Sequence, residues 1–407
     1  MKKAIIIILI LLIIASLAVI GYLIYSQNKT GASNLIRSLS GAIEAPISLF
    51  PVGTTTSDTI ATTSDQMATS TQAQSLGVPN QPELSQMNIA SLAVITINKN
   101  LQTILADKNS GNIYSLDDQN NLKRLSNATL PAMGESYFGS DTSGWRAILR
   151  QEKNGQIFTN IGLLKVTSST STGPFELKIS AWINPSALAV VPNGSKIAYL
   201  ETQPGGGANL YTNDWNLKSA KKVWSSPLKE WVVNWPKDNL ISLTSRASFD
   251  YPGVAYILDL KTNQSKTILS DVNGLMTNAS PDGQRIIYSK SLLNSFSLYQ
   301  YDLATGTSRL LDFNTLPSKC AWFDNDILYC AVPKTIPAGR YPDDWYQGKV
   351  IFSDNIWRID LKQRTTLLVY PLKGNYDLIN LVINKQTGWL YALDKSNSTL
   401  QAFTLSE

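Results

Sequence analysis

The most informative feature of this chain for its chemistry is a residue type that it lacks: none of its 407 residues is histidine. This excludes Ser-His-Asp and Cys-His nucleophilic catalysis, zinc held by imidazole, and proton transfer through an imidazole ring. Only two cysteines occur, so one chain cannot supply the four thiolates of a metal site. Any catalysis would therefore use carboxylates, Lys, Tyr, or a hard cation such as calcium held by oxygen atoms.

The aspartates that could supply such carboxylates lie in sequences typical of turns. Asp259, Asp282, Asp302 and Asp324 each stand within four residues of a Gly or an Asn. Because Asp accepts hydrogen bonds from the backbone of its own turn, a structural role explains them. A calcium or glycosidase site would need carboxylates from different repeats to converge, and the spacing does not indicate this. We predict no catalytic residue, no metal ligand and no cofactor.

A segment rich in proline and aromatic residues, 333–354, offers the best candidate for binding. Its three prolines restrict the backbone, and long loops of this kind are often functional. Tyr, Trp and Arg are the residues that most often carry interface energy. Two interpretations stay open: a recognition loop that exposes its aromatic side chains, or a plug that packs over a central channel. The candidate binding residues are Arg340, Tyr341, Trp345, Tyr346 and Phe352.

The two cysteines, Cys320 and Cys330, flank a short hairpin whose tip is residues 324–326. In such a hairpin they face each other, and an exported protein can form a disulfide there. Closing so short a loop would stabilise the fold by at most roughly 3 kcal/mol. The alternative is a pair of buried thiols, and both interpretations stay open.

The N-terminus has the composition of a membrane anchor, which we assign to residues 1–26. From Ala4 to Tyr25 there are 22 residues without a charge. As a helix they would be about 33 Å long, enough to cross a bilayer core. Lys2 and Lys3 predict a cytoplasmic N-terminus. The alternative is a cleaved signal peptide, whose apolar stretch is normally shorter. We expect a single-pass protein of the cytoplasmic (inner) membrane, with the folded part outside.

Residues 27–87 form the second region, in which Ser, Thr, Ala and Gln dominate. Such a sequence cannot bury enough apolar surface to offset its ordering entropy, which predicts a flexible stalk. A random coil of this length would reach on the order of 40 Å from the membrane.

The third region, residues 88–407, repeats one unit seven times. Its clearest element is a short strand with an apolar or aromatic pair, and successive copies are separated by 44, 53, 45, 43, 58 and 44 residues. Such a period predicts an all-β protein, a seven-bladed β-propeller of four-stranded antiparallel blades. Six blades is the alternative, because the unit around Phe158 is the least regular. The copies are Asn112–Tyr114, Gln156–Phe158, Asn209–Tyr211, Val254–Tyr256, Ser297–Tyr299, Asn355–Trp357 and Thr399–Gln401.

One unit carries a recognisable motif, Ser280-Pro281-Asp282-Gly283 followed by Leu298-Tyr299-Gln300-Tyr301-Asp302-Leu303. Its Asp-Gly turn between apolar strands is a strong hairpin signal. The motif resembles the WD-type repeats of TolB-like propellers, and weaker copies extend the resemblance over the whole repeat region. The resemblance implies architecture only, because TolB is soluble and has six blades with a separate N-terminal domain. One propeller fold hosts many functions.

The last repeat stops near Leu405, after its third strand, which would leave an open sheet edge. We expect part of the segment Ala90–Ile97 to lie beside Gln401–Leu405 and close the ring.

The leading functional hypothesis is a membrane-anchored extracytoplasmic β-propeller that acts as a non-catalytic module binding a protein or an envelope polymer. The alternative is a carboxylate- or calcium-dependent propeller enzyme acting on a glycan or lactone. The net charge of +5 comes without a dense block of Lys and Arg, so nucleic acid is not an expected partner.

Overall fold

The computed structural model describes residues 87–97, 100–126, 129–165 and 176–405. These residues form seven antiparallel sheets of consecutive strands, six with four strands and one with three. Seven such sheets are the blades of a β-propeller, so the predicted blade count is confirmed. None of the helices in these ranges is both long and apolar enough to span a bilayer. The predicted anchor, residues 1–26, and residues 27–86 of the predicted stalk lie outside the described residues.

The first strand of each blade is the innermost, because the first strands of neighbouring blades contact one another. From the inside outward, blade 1 consists of β1 (Ile89–Ile97), β2 (Asn100–Asp107), β3 (Ile113–Leu116) and β4 (Leu122–Arg124). In the same order, blade 2 consists of β5 (Met133–Asp141), β6 (Gly144–Lys153), β7 (Gln156–Lys165) and β8 (Glu176–Trp182). Blade 3 consists of β9 (Ala187–Val190), β10 (Lys196–Thr202), β11 (Ala208–Asp214) and β12 (Lys221–Ser226).

The other four blades continue in the same way, and two short helices lie between their strands. A 3₁₀ helix spans Pro317–Lys319 and helix α1 spans Asp343–Tyr346. Blades 4 and 5 consist of β13 (Trp231–Lys237), β14 (Leu240–Ser245), β15 (Pro252–Asp259) and β16 (Gln264–Asn273), and of β17 (Thr277–Ala279), β18 (Arg285–Ser291), β19 (Phe296–Asp302) and β20 (Thr307–Leu310). Blade 6 consists of β21 (Cys320–Trp322), β22 (Ile327–Pro333), β23 (Asp354–Asp360) and β24 (Thr365–Tyr370). Blade 7 consists of β25 (Leu378–Asn384), β26 (Trp389–Asp394) and β27 (Leu400–Thr404).

The second strand of each blade is the most deeply buried, because neighbouring blades cover both of its faces. All six residues of β14 are buried, as are the last six of β22. Such strands read as continuous apolar runs rather than as alternating ones. The outermost strands expose half or more of their residues, as β12 and β24 do. The hydrophobic core therefore lies between neighbouring blades, and its packing holds the strands from which the connections at each face of the ring emerge.

The four turn aspartates have the structural role that the sequence predicts. Each accepts a backbone N–H from its own turn through Oδ1, which satisfies a donor that the turn would otherwise leave free. The donors are Lys261 N to Asp259 at 2.7 Å, Gln284 N to Asp282 at 3.0 Å, Thr305 N to Asp302 at 2.9 Å and Asp326 N to Asp324 at 2.8 Å.

The expected ring closure by a strand from Ala90–Ile97 is wrong. Strand β1 pairs with β2 from Ile89 to Ile97 as the inner strand of blade 1, so its other edge faces the centre of the ring and not the outer strand β27. Blade 7 keeps three strands in the described part of the chain. It joins blade 1 through isolated hydrogen bonds rather than a strand pairing. Ile89 N donates to the Ser398 carbonyl at 2.8 Å, and Trp389 Nε1 donates to the Asp118 carbonyl at 3.1 Å. The Tyr391 hydroxyl lies 2.5 Å from Asn120 Oδ1.

The two cysteines form a disulfide, which decides between the two interpretations of the sequence. Cys320 and Cys330 are directly paired residues of β21 and β22, and their Cα atoms are 4.1 Å apart. The bond closes a loop of ten residues in sequence separation, a size for which a stabilisation of at most roughly 3 kcal/mol is expected.

Candidate binding site

The described part of the chain begins at one face of the ring, and we call it the N-terminal face. Just after Met87, the Asn88 carbonyl accepts a hydrogen bond from Lys108 N at 2.7 Å, and Ile89 N donates to the Ser398 carbonyl at 2.8 Å. Lys108 and Ser398 lie in the connections between the second and third strands of blades 1 and 7. All such connections, and those between successive blades, emerge at this face.

The longest of these connections, residues 334–353, crosses the N-terminal face, and we call it the strap. On one side of the ring, the Asp343 carboxylate accepts a hydrogen bond from Phe249 N of blade 4 at 2.6 Å, and Arg340 pairs with Asp250. On the other side, Lys395 Nζ of blade 7 donates to the Trp345 carbonyl at 2.7 Å. Blades 4 and 7 lie across the ring from each other, so the strap spans its centre.

A buried cluster of charged residues holds the strap. Lys319 Nζ lies 2.8 Å from Asp354 Oδ2 and 2.5 Å from Asp377 Oδ1, and none of the three side chains is exposed. Trp345 Nε1 donates to Asp377 Oδ2 at 2.9 Å. The Lys319 ammonium also lies 5.5 Å from the ring centre of Trp345 and 5.2 Å from that of Phe352. These cation–π contacts couple the strap to the ion pairs below it.

The cluster has more negative than positive groups, because two carboxylates share one ammonium. Burial raises the pKa of Asp354 to about 6, against the opposing effect of Lys319. Asp354 Oδ2 is well satisfied, since it also accepts Leu378 N at 2.7 Å. Asp354 Oδ1 has no hydrogen-bond partner among the described residues. A carboxyl group that retains a proton costs less to bury in such a place than a carboxylate does.

The structure places the five predicted binding residues together on the strap, but it exposes only two of them. Tyr341, Trp345 and Phe352 are buried, and the ring of Tyr341 stacks on that of Phe352 at 5.7 Å. Of the two interpretations of this segment, the packed plug describes these three side chains, and the exposed recognition loop does not. Arg340 and Tyr346 are exposed, and their role in binding stays a prediction.

A cavity that the sequence does not indicate lies beside the strap. Its volume is about 1000 Å³, and the inner strands of blades 7, 1 and 2 form most of its wall. Aliphatic side chains of β1 and small or hydroxyl-bearing residues of β5 make up much of the surface. The walls consist mainly of residues 89–95, 132–138, 190–192, 379–380 and 393–394.

The carboxylates of this cavity are mostly engaged with neighbours. Glu135 lies 2.7 Å from Arg150 Nη1 and accepts a hydrogen bond from the Tyr137 hydroxyl at 3.2 Å. Asp394 is buried and accepts Ser396 Oγ at 2.8 Å. Glu152 is exposed at the rim. Burial raises the pKa of Tyr137 further above its ordinary value, so this phenol stays protonated. Among the described residues, no three His, Cys, Asp or Glu side chains come together as a metal site.

Comparisons with known proteins give structural likeness without a family. No family model matches the chain, and no curated protein matches it. Oligogalacturonate lyase in complex with manganese aligns over 79% of this chain and 97% of its own, at 9% identity and a TM-score of 0.48. The β-propeller domain of the Trilobed protease from Pyrococcus furiosus, described as having an open velcro topology, aligns over 63% and 78%, at 11% identity and a TM-score of 0.42.

TolB from Acinetobacter baumannii is also among the similar structures. It aligns over 67% of this chain and 68% of its own, at 15% identity and a TM-score of 0.36. At these identities and scores, the matches assign neither an activity nor a partner to this chain.

Proposed function

We propose that this chain is a membrane-anchored, exported β-propeller that acts as a non-catalytic binding module. Its ligand is a protein segment or a polymer of the cell envelope that enters the cavity at the N-terminal face. The observation that carries this proposal is the lining of the cavity, which is mainly aliphatic, hydroxyl and amide. Ligand sites are typically preformed hollows of about 300–1,000 Å³ with a few polar groups that fix orientation.

The carboxylate- or calcium-dependent enzyme is less well supported by the same lining. A general acid or base must be able to reach a substrate, and a hard cation needs several free oxygen ligands. Glu135 is bound to Arg150, and Asp394 is buried in its own turn. Among the described residues that line the cavity, Glu152 is the one exposed carboxylate without an ion-pair partner, since Glu135, although 56% exposed, lies beside Arg150. A glycosidase pair would need a second one.

Filling the cavity tests the proposal. A Cβ atom at Gly134, on the cavity wall, would come no closer than 3.6 Å to other atoms, and its backbone has an ordinary φ. Gly134→Trp should therefore fold normally, because its Cβ atom meets no close neighbour and Gly134 lines the cavity that the ring would occupy. It should weaken capture of envelope components by at least about tenfold, since a clash in the site opposes binding. Capture is measured with the full chain, purified in detergent, as bait for an envelope extract.

The matched control is Gly205→Trp, in a blade 3 connection of the same face but outside the cavity. A Cβ atom there meets nothing within 4 Å. Capture by this variant should equal that of the unchanged chain, and both variants should keep its melting temperature. If both glycine variants capture the same components equally well, the cavity is not the binding site. Turnover of a captured glycan, abolished by Glu152→Gln, would support the enzyme instead.

A further inference from the structure

Exposed apolar side chains are distributed unequally between the two faces of the ring. In the described part of the chain, fourteen large apolar or aromatic residues are exposed. Seven of them lie in connections of the N-terminal face and seven within strands, whereas none lies in a described connection of the opposite face. The seven in connections are Ile183, Leu228, Tyr251, Leu292, Leu293, Tyr346 and Ile351.

The three most exposed of these side chains, Tyr251, Leu293 and Ile351, belong to blades 4 to 6, and together with Leu292 we call them the apolar edge. Leu293 is 82% exposed and Tyr251 is 75% exposed. Leu293 occupies the tip of a turn, which is closed by a hydrogen bond of 2.9 Å from Leu292 N to the Ser295 carbonyl. Gly, Asn, Asp or Pro is the usual residue at such a tip. The strap joins these loops, since Gly339 N donates to the Asn294 carbonyl at 3.2 Å. A concentration of exposed apolar residues on one face marks an interaction surface.

The charged residues beside the apolar edge are balanced in sign. Lys290 and Lys349 are exposed and lie two positions before Leu292 and Ile351 in the sequence. Of the neighbouring acidic groups, Asp250 pairs with Arg340, and Asp344 lies 3.5 Å from Lys349 Nζ. The apolar side chains, flanked by lysines, are therefore the groups that would hold such a surface on a bilayer.

The position at which the N-terminal part of the chain joins the propeller also favours a membrane surface as the partner of this face. Met87 lies at the N-terminal face, so the 86 preceding residues, with their 22 uncharged residues from Ala4 to Tyr25, connect there. A tether makes docking intramolecular and gives it an effective concentration of roughly millimolar, so a weak surface affinity suffices. The predicted stalk reaches on the order of 40 Å, which allows the face to turn toward its own membrane.

We infer that the N-terminal face docks on the lipid surface of the membrane that anchors the chain, with the apolar edge inserted among the headgroups. This inference rests on the proposed anchoring. Blades 4 to 6 lie across the ring from blades 1 and 2. Docking through blades 4 to 6 therefore tilts the ring and keeps the cavity mouth clear of the bilayer.

Lipid-borne quenchers test the docking. The full chain carrying Leu293→Cys, labelled with an environment-sensitive dye, is reconstituted in phosphatidylcholine–phosphatidylglycerol vesicles that contain doxyl-labelled lipids. The matched control is Ala304→Cys, an exposed residue of the same blade in a connection of the opposite face. Quenching at position 293 should exceed that at 304 by at least about threefold, because the inserted side chains reach the acyl boundary. Ile351→Cys provides a second probe on another loop.

The outcomes separate docking from anchoring. A chain that does not float with the vesicles after an alkaline wash has no anchor, and the proposed anchoring then fails. A chain that floats but shows equal quenching at 293, 351 and 304 is anchored without docking, which overturns the inference. The inference is also overturned if the dye at 293 and 351 enters an apolar environment only when an envelope protein is added, without quenching by the labelled lipids. That result would identify a protein partner for this surface.

Discussion

Replacing Lys319 by Met is expected to lower the free energy of unfolding by about 3–5 kcal/mol at neutral pH, because it leaves buried carboxylates without a counter-ion. Asp354 and Asp377 are fully buried and both lie within 2.8 Å of the ammonium that the change removes. The strap also loses the cation under Trp345 and Phe352. Denaturant unfolding of the purified chain, followed by tryptophan fluorescence, measures the effect.

Lys349→Met is the matched control, since Lys349 lies on the strap itself. Its side chain is 65% exposed and its ammonium is 3.5 Å from Asp344. A surface pair of this kind contributes about 0–1 kcal/mol, so this variant should unfold almost like the unchanged chain. A Lys319→Met variant that is as stable as Lys349→Met would show that the buried cluster does not stabilise the fold.

The second large effect is a loss of stability as the pH rises from about 4 to 6. Burial raises the pKa of Asp354 to about 6 from an ordinary value of 3.8. Below pH 4 the carboxyl is protonated in both states. Between these values the unfolded chain releases the proton and the folded chain keeps it, so raising the pH favours unfolding. This pKa shift contributes roughly 3 kcal/mol to the free energy of unfolding. The contribution is fully present at low pH and is lost as the pH rises through 6.

The measurement compares the unchanged chain with Asp354→Asn, whose amide cannot titrate. Other carboxylates oppose the trend, because hydrogen bonds to the carboxylate lower the pKa of Asp302, for example, and add stability as the pH rises. The difference between the two proteins removes these common contributions. Asp354→Asn should gain stability relative to the unchanged chain between pH 4 and 6. A difference that stays constant over this range would assign Asp354 an ordinary pKa.

The architecture was accessible from the sequence because each blade repeats the same local signals. All seven predicted triplets lie on or directly beside the third strand of a blade. The Asp282-Gly283 turn forms as predicted, and its glycine has a positive φ. Periodicity cannot show which strand pairs at the ring closure. Ala90–Ile97 reads equally well as an inner or an outer strand, and only the pairing with β2 distinguishes them.

The arrangement of the strap was not accessible, because its partners are distant in the sequence. Trp345 packs over Lys319, which lies 26 positions before it, and donates a hydrogen bond to Asp377, which lies 32 positions after it. A Trp in a Pro-rich loop looks the same whether it faces solvent or such a cluster. The one available signal was Lys319 itself, a charged residue between Pro-Ser and Cys-Ala-Trp. The cavity had no sequence signal, since its wall combines strands from opposite ends of the chain.

The buried cluster and the proposed function are physically linked. Lys319, Asp354 and Asp377 fix the strap, the strap spans the ring from blade 4 to blade 7, and the cavity opens beside it. A propeller held rigid in this way offers a preformed site, which lowers the ordering cost of binding. The apolar edge lies on the N-terminal face, and the cavity reaches the same face at Lys108, Glu152 and Ser398.

The central claim is that the N-terminus holds an exported propeller at the membrane, and protease added to intact bacterial spheroplasts tests it most directly. With residues 1–26 as an anchor and the N-terminus inside, the protease should cut the exposed stalk. It should release a folded fragment of about 35 kDa, in proportion to 44.7 kDa for the whole chain. Full-length chain that resists protease until the spheroplasts are lysed would contradict the orientation and, with it, the proposed function.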